Sequence, residues 1–325
     1  MKKQFNGFRI IVKTAVLLFI GLFFSYHPAF SQGGPGTTGA VELKIPVGPR
    51  AIAMGQAFVA VADDANAIYW NPAGLNQLGG THITAQYASY LSTETYDFLA
   101  AATKLGNNAA VGVGAKIVSA GPPEQANDSN GNPIQGEFLT YNYMDIDLAA
   151  AYRLSYYFDV GLTAKYIDKS LVGTSASTFA VDIGVLYKTP IPHFTAGLDI
   201  QNLGPGIKFD QVTDPLPFNV KVGVAYRMFD DNFTTAFDMN FPNDNAISAS
   251  LGGEYWYKDT LVGRFGYQFQ GSIDQNQVGI GGKAGLYLGA GIKVAAFKDF
   301  IGFDYAWTDD GLLGAENLFA LDFYF

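Results

Sequence analysis

The sequence predicts an all-β protein: a transmembrane antiparallel β-barrel of about fourteen strands, preceded by a small, partly helical plug. Three observations carry that expectation. The chain closes on Asn-Leu-Phe-Ala-Leu-Asp-Phe-Tyr-Phe, where Phe319, Leu321, Phe323 and Phe325 share one strand face and Leu318, Ala320, Asp322 and Tyr324 the other. Beyond Gly80 the sequence breaks into alternating segments of roughly ten residues, the length a tilted strand needs to cross the hydrocarbon layer. The links between segments alternate between tight turns and longer loops, as the two ends of such a barrel do.

The first element is a leader. Lys2, Lys3, Arg9 and Lys13 surround the start of an apolar run, Ala15 to Phe24, which is too short to span a bilayer. Ala29-Phe30-Ser31 offers small residues for cleavage. Residues 1–31 therefore read as a signal peptide and Gln32 as the mature start.

Residues 32–80 form the second element. Ala51–Ala62 reads as a helix of small residues, and Asp63 and Asp64 can cap a second short helix over Ala65–Trp70. The Asn71-Pro72 step ends that helix, because proline disfavours helical geometry in the residue before it. Ile45, Ile52, Met54, Phe58, Val59, Ile68 and Trp70 need burial, and a barrel this wide has space to fill. The segment is thus expected inside the lumen as a hatch rather than as a periplasmic extension. Asn71-Pro72-Ala73-Gly74 reads as its latch: Asn71 bonds backbone at the turn, while Ala73 and Gly74 let the chain pass close to the wall. Asp63 and Asp64 are expected to reach lumen cations such as Arg264 or Lys293.

The barrel occupies residues 81–325. Its strands are expected at Thr81–Leu91, Thr95–Leu105, Ala109–Ala120, Phe138–Leu154, Tyr156–Asp168, Ser177–Thr189, His193–Leu203, Phe218–Met228, Asn232–Phe241, Ala246–Lys258, Leu261–Gln270, Gly285–Ala295, Asp299–Thr308 and Asn317–Phe325. Tight links follow Leu105, Leu154, Thr189, Met228, Lys258 and Ala295. Long ones include Gly121–Glu137, Gly204–Pro217 and Gly271–Ala284. An even strand count puts both ends in the periplasm.

Parity assigns the faces. Met144, Ile146, Leu148, Ala150 and Tyr152 oppose Asp145, Asp147, Ala149 and Arg153; Phe179, Val181, Ile183 and Val185 oppose Asp182 and Lys188; Val220, Val222, Val224 and Tyr226 oppose Lys221 and Arg227. A charge on the lipid face costs about 2–4 kcal/mol at mid-bilayer, so the charged parity faces the lumen. That interior set is Asp145, Asp147, Arg153, Asp159, Lys165, Asp182, Lys188, Asp199, Lys221, Arg227, Asp238, Glu254, Arg264, Lys293 and Asp304. Both signs are present, so the set is expected to pair with itself.

Composition narrows the function. Only 15% of the chain is charged while 15% is aromatic, unlike an ordinary soluble domain. The absence of cysteine excludes disulfides, thiolate nucleophiles and cysteine zinc sites. A net charge of -9 argues against nucleic-acid partners. Catalytic signals are thin. His82 and His193 lie on different strands, and no metalloprotease, nucleophile-elbow or phosphate-loop motif occurs. The Asp145 and Asp147 carboxylates share a strand face, but a lumen ion-pair network with Lys165 or Arg153 accounts for them. Asp128-Ser-Asn130-Gly-Asn132 begins like a calcium loop, yet Pro133 and Leu139 stand where glycine and a bidentate glutamate are needed. Gly279, Gly281 and Ala284 have dinucleotide-loop spacing without the βαβ unit it requires. No enzyme activity, metal or cofactor is expected.

GPRAIAMGQAFVAVADDANAIYWNPAGL resembles the N-terminal signature of the PorV/PorQ family of outer-membrane proteins, relatives of the FadL/TodX hydrocarbon and fatty-acid transporters. The matching positions include Gly48, Arg50, Met54, Gly55, Asp63, Asp64, Tyr69, Trp70, Asn71, Pro72, Ala73 and Gly74. Gln56 departs from the pattern, which usually has glycine there, and the surface loops are shorter than in the member that shuttles cargo. The resemblance implies a fourteen-stranded barrel with an N-terminal hatch that carries the Asn-Pro-Ala-Gly element in the lumen. It implies an outer-membrane location and one of two roles. The first is an accessory or substrate-shuttling component of type IX-like protein secretion, with protein partners and a sealed lumen. The alternative is passive transport of hydrophobic small molecules, with an apolar pocket beside the hatch and a kink in an early strand. Membrane lipid surrounds the barrel in either case.

Overall fold

The computed structural model describes residues 34–325 apart from 91–93, 120–123, 128–132, 140, 172, 271–284 and 310–314. The leader and its cleavage site, Asp128 to Asn132, and Gly279 to Ala284 lie outside the described residues.

The strands are β1 (Thr81–Tyr90), β2 (Glu94–Leu105), β3 (Ala109–Ser119), β4 (Glu124–Asn127), β5 (Pro133–Leu139), β6 (Tyr141–Arg153), β7 (Phe158–Leu171), β8 (Thr174–Lys188) and β9 (Phe194–Leu203). They continue with β10 (Ile207–Lys208), β11 (Thr213–Asp214), β12 (Asn219–Met228), β13 (Phe233–Pro242), β14 (Ser248–Tyr257), β15 (Leu261–Gln270), β16 (Gly285–Ala296), β17 (Asp299–Asp309) and β18 (Ala315–Tyr324). Fourteen of them close a barrel in the order β1-β2-β3-β6-β7-β8-β9-β12-β13-β14-β15-β16-β17-β18, with β18 returning to β1. Every neighbour is antiparallel, so no strand edge is left open to lipid. The remaining strands form two small hairpins, β4–β5 and β10–β11, in the links expected to be loops.

Strand ends differ most from the sequence expectation at the start of β6 and in the β7–β8 hairpin. Phe138 belongs to the accessory hairpin strand β5 rather than to the barrel strand, which begins at Tyr141. β7 and β8 run on past Asp168 and Ser177 and pair as far as Leu171 and Thr174. Apolar alternation fades there, while the backbone ladder continues.

Burial follows the predicted parity. On β6 and β8, Leu148 and Phe179 point outward at 61% and 65% exposure, while Asp145, Asp147 and Asp182 are buried inside. Among the described residues no helix is long and apolar enough to cross a membrane. The strands supply the apolar belt.

The seam between first and last strands is fully paired, from His82 opposite Tyr324 to Ser89 opposite Asn317. At its end Thr81 N donates to Phe325 O at 3.1 Å and Phe325 N donates to Thr81 O at 2.9 Å. Deleting Phe325 removes both bonds and the terminal aromatic. The expected result is a lower yield of heat-modifiable, membrane-assembled barrel; an unchanged yield and gel migration would contradict it.

The N-terminal segment crosses the lumen. At the loop end, Gly39 N donates to Pro215 O at 2.9 Å, and buried Asp244 takes Lys44 at 2.7 Å and the Thr38 hydroxyl at 2.5 Å. At the turn end, an Arg153 guanidinium nitrogen donates to Asn76 O at 3.1 Å. Between them lie a 3-10 turn at Val41–Lys44, helices at Pro49–Ala53 and Ala67–Trp70, and a 3-10 turn at Pro72–Gln77. Val47, Met54, Phe58, Ile68 and Trp70 are almost fully buried there.

The helix expected over Ala51–Ala62 ends after a single turn. Gly55 and Gln56 both have positive φ, 64° and 67°, which a right-handed helix forbids. Its small residues serve close approach instead. A Cβ on wall residue Gly266 would strike the backbone of Met54 and Gly55, and one on Gly289 would strike Ala53. The second helix starts at Ala67 rather than Ala65, with the Asp64 carboxylate accepting from Asn66 N at 2.9 Å one step before it.

Candidate functional site

The hatch–wall interface is the candidate site. Helical turns this short leave most hatch N–H and C=O groups without internal partners, and a buried amide without a partner is costly. Inward polar side chains of the wall supply them. Asp238 accepts from Phe58 N at 2.7 Å and Val59 N at 2.9 Å. Thr195 donates to Ala60 O at 3.0 Å, Thr163 to Ile68 O at 2.9 Å and Gln201 to Tyr69 O at 2.7 Å. Gln86 accepts from Gly48 N at 2.5 Å. His82 accepts through Nδ1 from Ala65 N at 2.8 Å, and its Nε2 lies 3.0 Å from Asp322. His82 thereby ties the hatch to both strands of the closing seam.

The Asn71-Pro72 step is seated against β7 and β8. Fully buried Asn71 donates through Nδ2 to Val59 O at 2.8 Å and to Val185 O at 3.2 Å. Its Oδ1 accepts from Ala73 N at 3.1 Å, capping the turn that follows. The close approach is made possible by the wall: a Cβ at Gly161 or Gly184 would collide with Asn71, Pro72 and Ala73. Gly74, expected to lie along the wall, packs instead on Ala62 of the hatch itself. Asn71→Ala is expected to cost about 1–3 kcal/mol, because it strips buried backbone groups of partners. The measurement is protease access to the hatch together with ion conductance in planar bilayers; cleavage and conductance equal to wild type would refute the seating role.

Charge forms a second fastening. Arg50 sits at its centre, with its guanidinium held bidentately by Glu254 at 2.9 Å from each oxygen. The same guanidinium reaches Asp63 at 2.6 Å and Asp64 at 3.0 Å. Asp63 continues to Arg227 at 2.9 Å. Glu254 continues to Arg264 at 2.6 Å, and Arg264 to Asp304 at 2.6 Å. An alternating chain thus runs from β12 through the hatch to β14, β15 and β17. Burial pulls the Arg50 pKa down, but Asp63, Glu254 and Asp64 outweigh it and hold the group well above its usual value. Burial pushes the Asp64 carboxyl up, against the opposing pull of Arg50. The expected partners of Asp63 and Asp64, Arg264 and Lys293, are not the ones found. Arg50 and Arg227 take those places, and Lys293 stacks over Tyr324 at 4.2 Å.

Tyr69 and Trp70 form a third feature. Ammonium groups of Lys116, Lys165 and Lys221 lie 5.0, 5.6 and 5.3 Å from the Tyr69 ring centre, and Lys221 lies 4.4 Å from Trp70. Burial raises the Tyr69 phenol above its usual pKa. Its hydroxyl donates to Leu43 O at 3.2 Å, and the Trp70 indole donates to Val47 O at 2.9 Å.

All the predicted interior charges have inward parity, but their pairing differs in part. Asp145 pairs with Lys116 at 3.5 Å, not with Lys165 or Arg153. Lys165 pairs with Asp182 at 2.7 Å, and Asp147 stands opposite Lys165 in register. Arg153 and Lys188 share Asp159 at 3.0 and 2.9 Å. Phe323 and Phe325 lie on the outward face of β18 and its end. Gln86, Thr163, Thr195, Gln201, His82 and Lys116 were not anticipated in the interface. Their signal was inward parity, which a census of charges on selected strands passes over. Gln56, at the family's glycine position, adopts the left-handed backbone glycine favours and donates to the Tyr287 hydroxyl at 3.3 Å.

Comparisons with known proteins agree with this architecture. The monoaromatic hydrocarbon channel CymD superposes with a TM-score of 0.61 at 15% identity, covering 86% of this chain and 96% of that one. The Ralstonia pickettii toluene transporter TbuX gives 0.59 at 15% identity, covering 85% and 97%. The Pseudomonas putida toluene transporter TodX gives 0.58 at 12% identity, covering 90% and 96%. At these identities the likeness is one of fold. No curated protein sequence matches the chain. The family described as type IX secretion system protein PorV matches residues 33–247, about two thirds of the chain, a span that includes the hatch, its Asn71-Pro72 seat and strands β1 to β13. The chain belongs to the PorV family, and its fold is similar to that of those hydrocarbon channels.

Proposed function

We propose that this protein is an outer-membrane barrel whose sealed lumen serves as a scaffold rather than a conduit, acting as an accessory or cargo-shuttling component of type IX-like protein secretion. In this reading residues 1–31 are a cleaved signal peptide, 32–80 the hatch and 81–325 the barrel in lipid. It carries out no catalysis and has no nucleic-acid partner. The hatch residues Gly48, Arg50, Met54, Gly55, Asp63, Asp64 and Tyr69–Gly74 keep the lumen closed. The interior charges stiffen the wall, and Phe323 and Phe325 belong to the assembly signal.

The supporting observation is the mode of hatch attachment. Polar wall side chains bond the hatch backbone along its length, and the Arg50 chain crosses from hatch to wall on both sides. A conduit for hydrophobic molecules calls for an apolar pocket beside the hatch. Among the described residues, one cavity beside the hatch is lined largely by amides and charged groups. Among the described residues, β1, β2 and β3 also pair in continuous register.

The test is to solubilise native membranes gently, capture the barrel and identify what accompanies it. Stoichiometric secretion-machinery proteins, with closed behaviour in planar bilayers, are the expected result. Co-purified hydrophobic small molecules without protein partners, and their faster uptake by vesicles carrying the barrel, would favour passive transport and overturn the proposal.

A further inference from the structure

A cavity of about 220 Å³ opens at the loop end between the hatch and strands β9 and β12–β15. Its lining is mostly polar. Gln56, Asn219, Asn240, Gln268 and Ser248 contribute amide and hydroxyl groups, and Pro46, Pro217 and Pro242 contribute flat apolar surface. Lys221 reaches it from the floor. That side chain is only 6% exposed, and among the described residues its ammonium makes no hydrogen bond or ion pair; it rests on the Trp70 ring. The Asn219 carbonyl oxygen is likewise buried without a partner. The Lys221 ammonium and the Asn219 amide oxygen are thus a buried donor and a buried acceptor without a hydrogen-bond complement, on residues that line one cavity.

The charge balance restricts what could fill the space. Lys44 at the rim is paired with Asp244 at 2.7 Å. Lys221 stands opposite Asp199 in the β9–β12 register, and inward Asp238 lies on the next strand. No net positive charge is left for an anion. Amides and a serine both donate and accept, which suits a ligand whose own groups do both, and that is the property of hydroxyls. The volume is below that of pockets for drug-sized ligands and suits a single small ring.

We propose that this cavity binds a neutral sugar ring, its hydroxyls bonded by Lys221, Asn219, Asn240 and Gln268 and its carbon face laid against the prolines. The cavity shares Lys44, Gln201 and Lys221 with the hatch attachment, and the proposal is independent of the secretion reading. It places a glycan-recognition function at the loop end of the barrel.

The test uses the full chain in detergent micelles with Trp256 and Trp307 replaced by Phe, leaving Trp70 as the single tryptophan. Methyl glucoside, methyl galactoside, methyl mannoside and glucuronate are titrated and Trp70 emission is followed. A saturable response to at least one neutral methyl hexoside is expected, with Kd at or below about 10 mM. Lys221→Met should weaken it by about tenfold or more. Ala246→Trp, which fills the cavity from the β13–β14 link, should abolish it while heat-modifiable migration stays normal. No saturable response to any neutral hexoside up to about 100 mM would overturn the proposal. So would a preference for glucuronate, or a response that survives both substitutions.

Discussion

Glu254→Ala is expected to be among the most damaging single changes in this protein. The carboxylate is 1% exposed and lies between Arg50 at 2.9 Å and Arg264 at 2.6 Å, so its loss leaves two buried guanidinium groups short of counter-charge. Breaking a buried ion pair by removing one partner costs about 3–5 kcal/mol. Part of that cost is relieved if the hatch shifts, because Arg50 can then follow Asp63 and Asp64 toward solvent. The variant should therefore show a lowered unfolding midpoint and, at temperatures where the barrel persists, faster cleavage of the hatch and intermittent conductance. Glu254→Gln should be milder, since the amide oxygen still accepts from both arginines. A Glu254→Ala protein with the wild-type midpoint and an intact, closed hatch would show that the charge chain does not hold the segment.

Ile183→Arg is the second large effect, and it tests the barrel rather than the hatch. Ile183 lies on the outward face of β8 at 39% exposure, and its neighbour Asp182 is fully buried on the inner face. An arginine facing mid-bilayer lipid costs about 2–4 kcal/mol. The comparison with Asp182→Asn is informative, because that carboxylate holds Lys165 at 2.7 Å and accepts from Asn202 N at 2.7 Å. Lys165 keeps Asn202 Oδ1 at 3.1 Å and Asp147 opposite in register, so the loss of charge should cost less, about 1–3 kcal/mol. The two variants differ in solvent dependence. Moving from lipid to a loose detergent micelle, where the outward arginine can find water, should rescue Ile183→Arg and leave Asp182→Asn impaired. If both variants respond alike, the face assignment is wrong.

The barrel was legible because its signals are local. Outward and inward residues alternate with the pleat of each strand, and lipid on one side punishes any charge of the wrong parity. Leu148 against Asp147 and Ile183 against Asp182 could be sorted without knowing any neighbouring strand. Strand ends were less legible where the apolar alternation fades, as at Leu171 and Thr174. The hatch was misread for a related reason. The alanines at Ala51, Ala53, Ala57 and Ala60 look like helix by propensity. Here they were selected for size, because the chain must lie against Gly252, Gly266 and Gly289 of the wall.

By itself, then, the sequence determined the class of fold, the approximate strand boundaries, the inner and outer faces and the presence of a buried segment that turns at Asn71-Pro72. Each follows from a repeat of two residues or from the chemistry of one residue. Only the tertiary structure decided which groups meet. Lys116 rather than Lys165 faces Asp145, Arg50 rather than Arg264 binds Asp63 and Asp64, and Gln201, Thr163 and Asp238 carry the hatch backbone. Those pairings depend on how fourteen strands are staggered around the barrel and how a non-repetitive segment threads through it. Alternation is blind to both, because shifting a strand by two residues preserves every face and changes every partner.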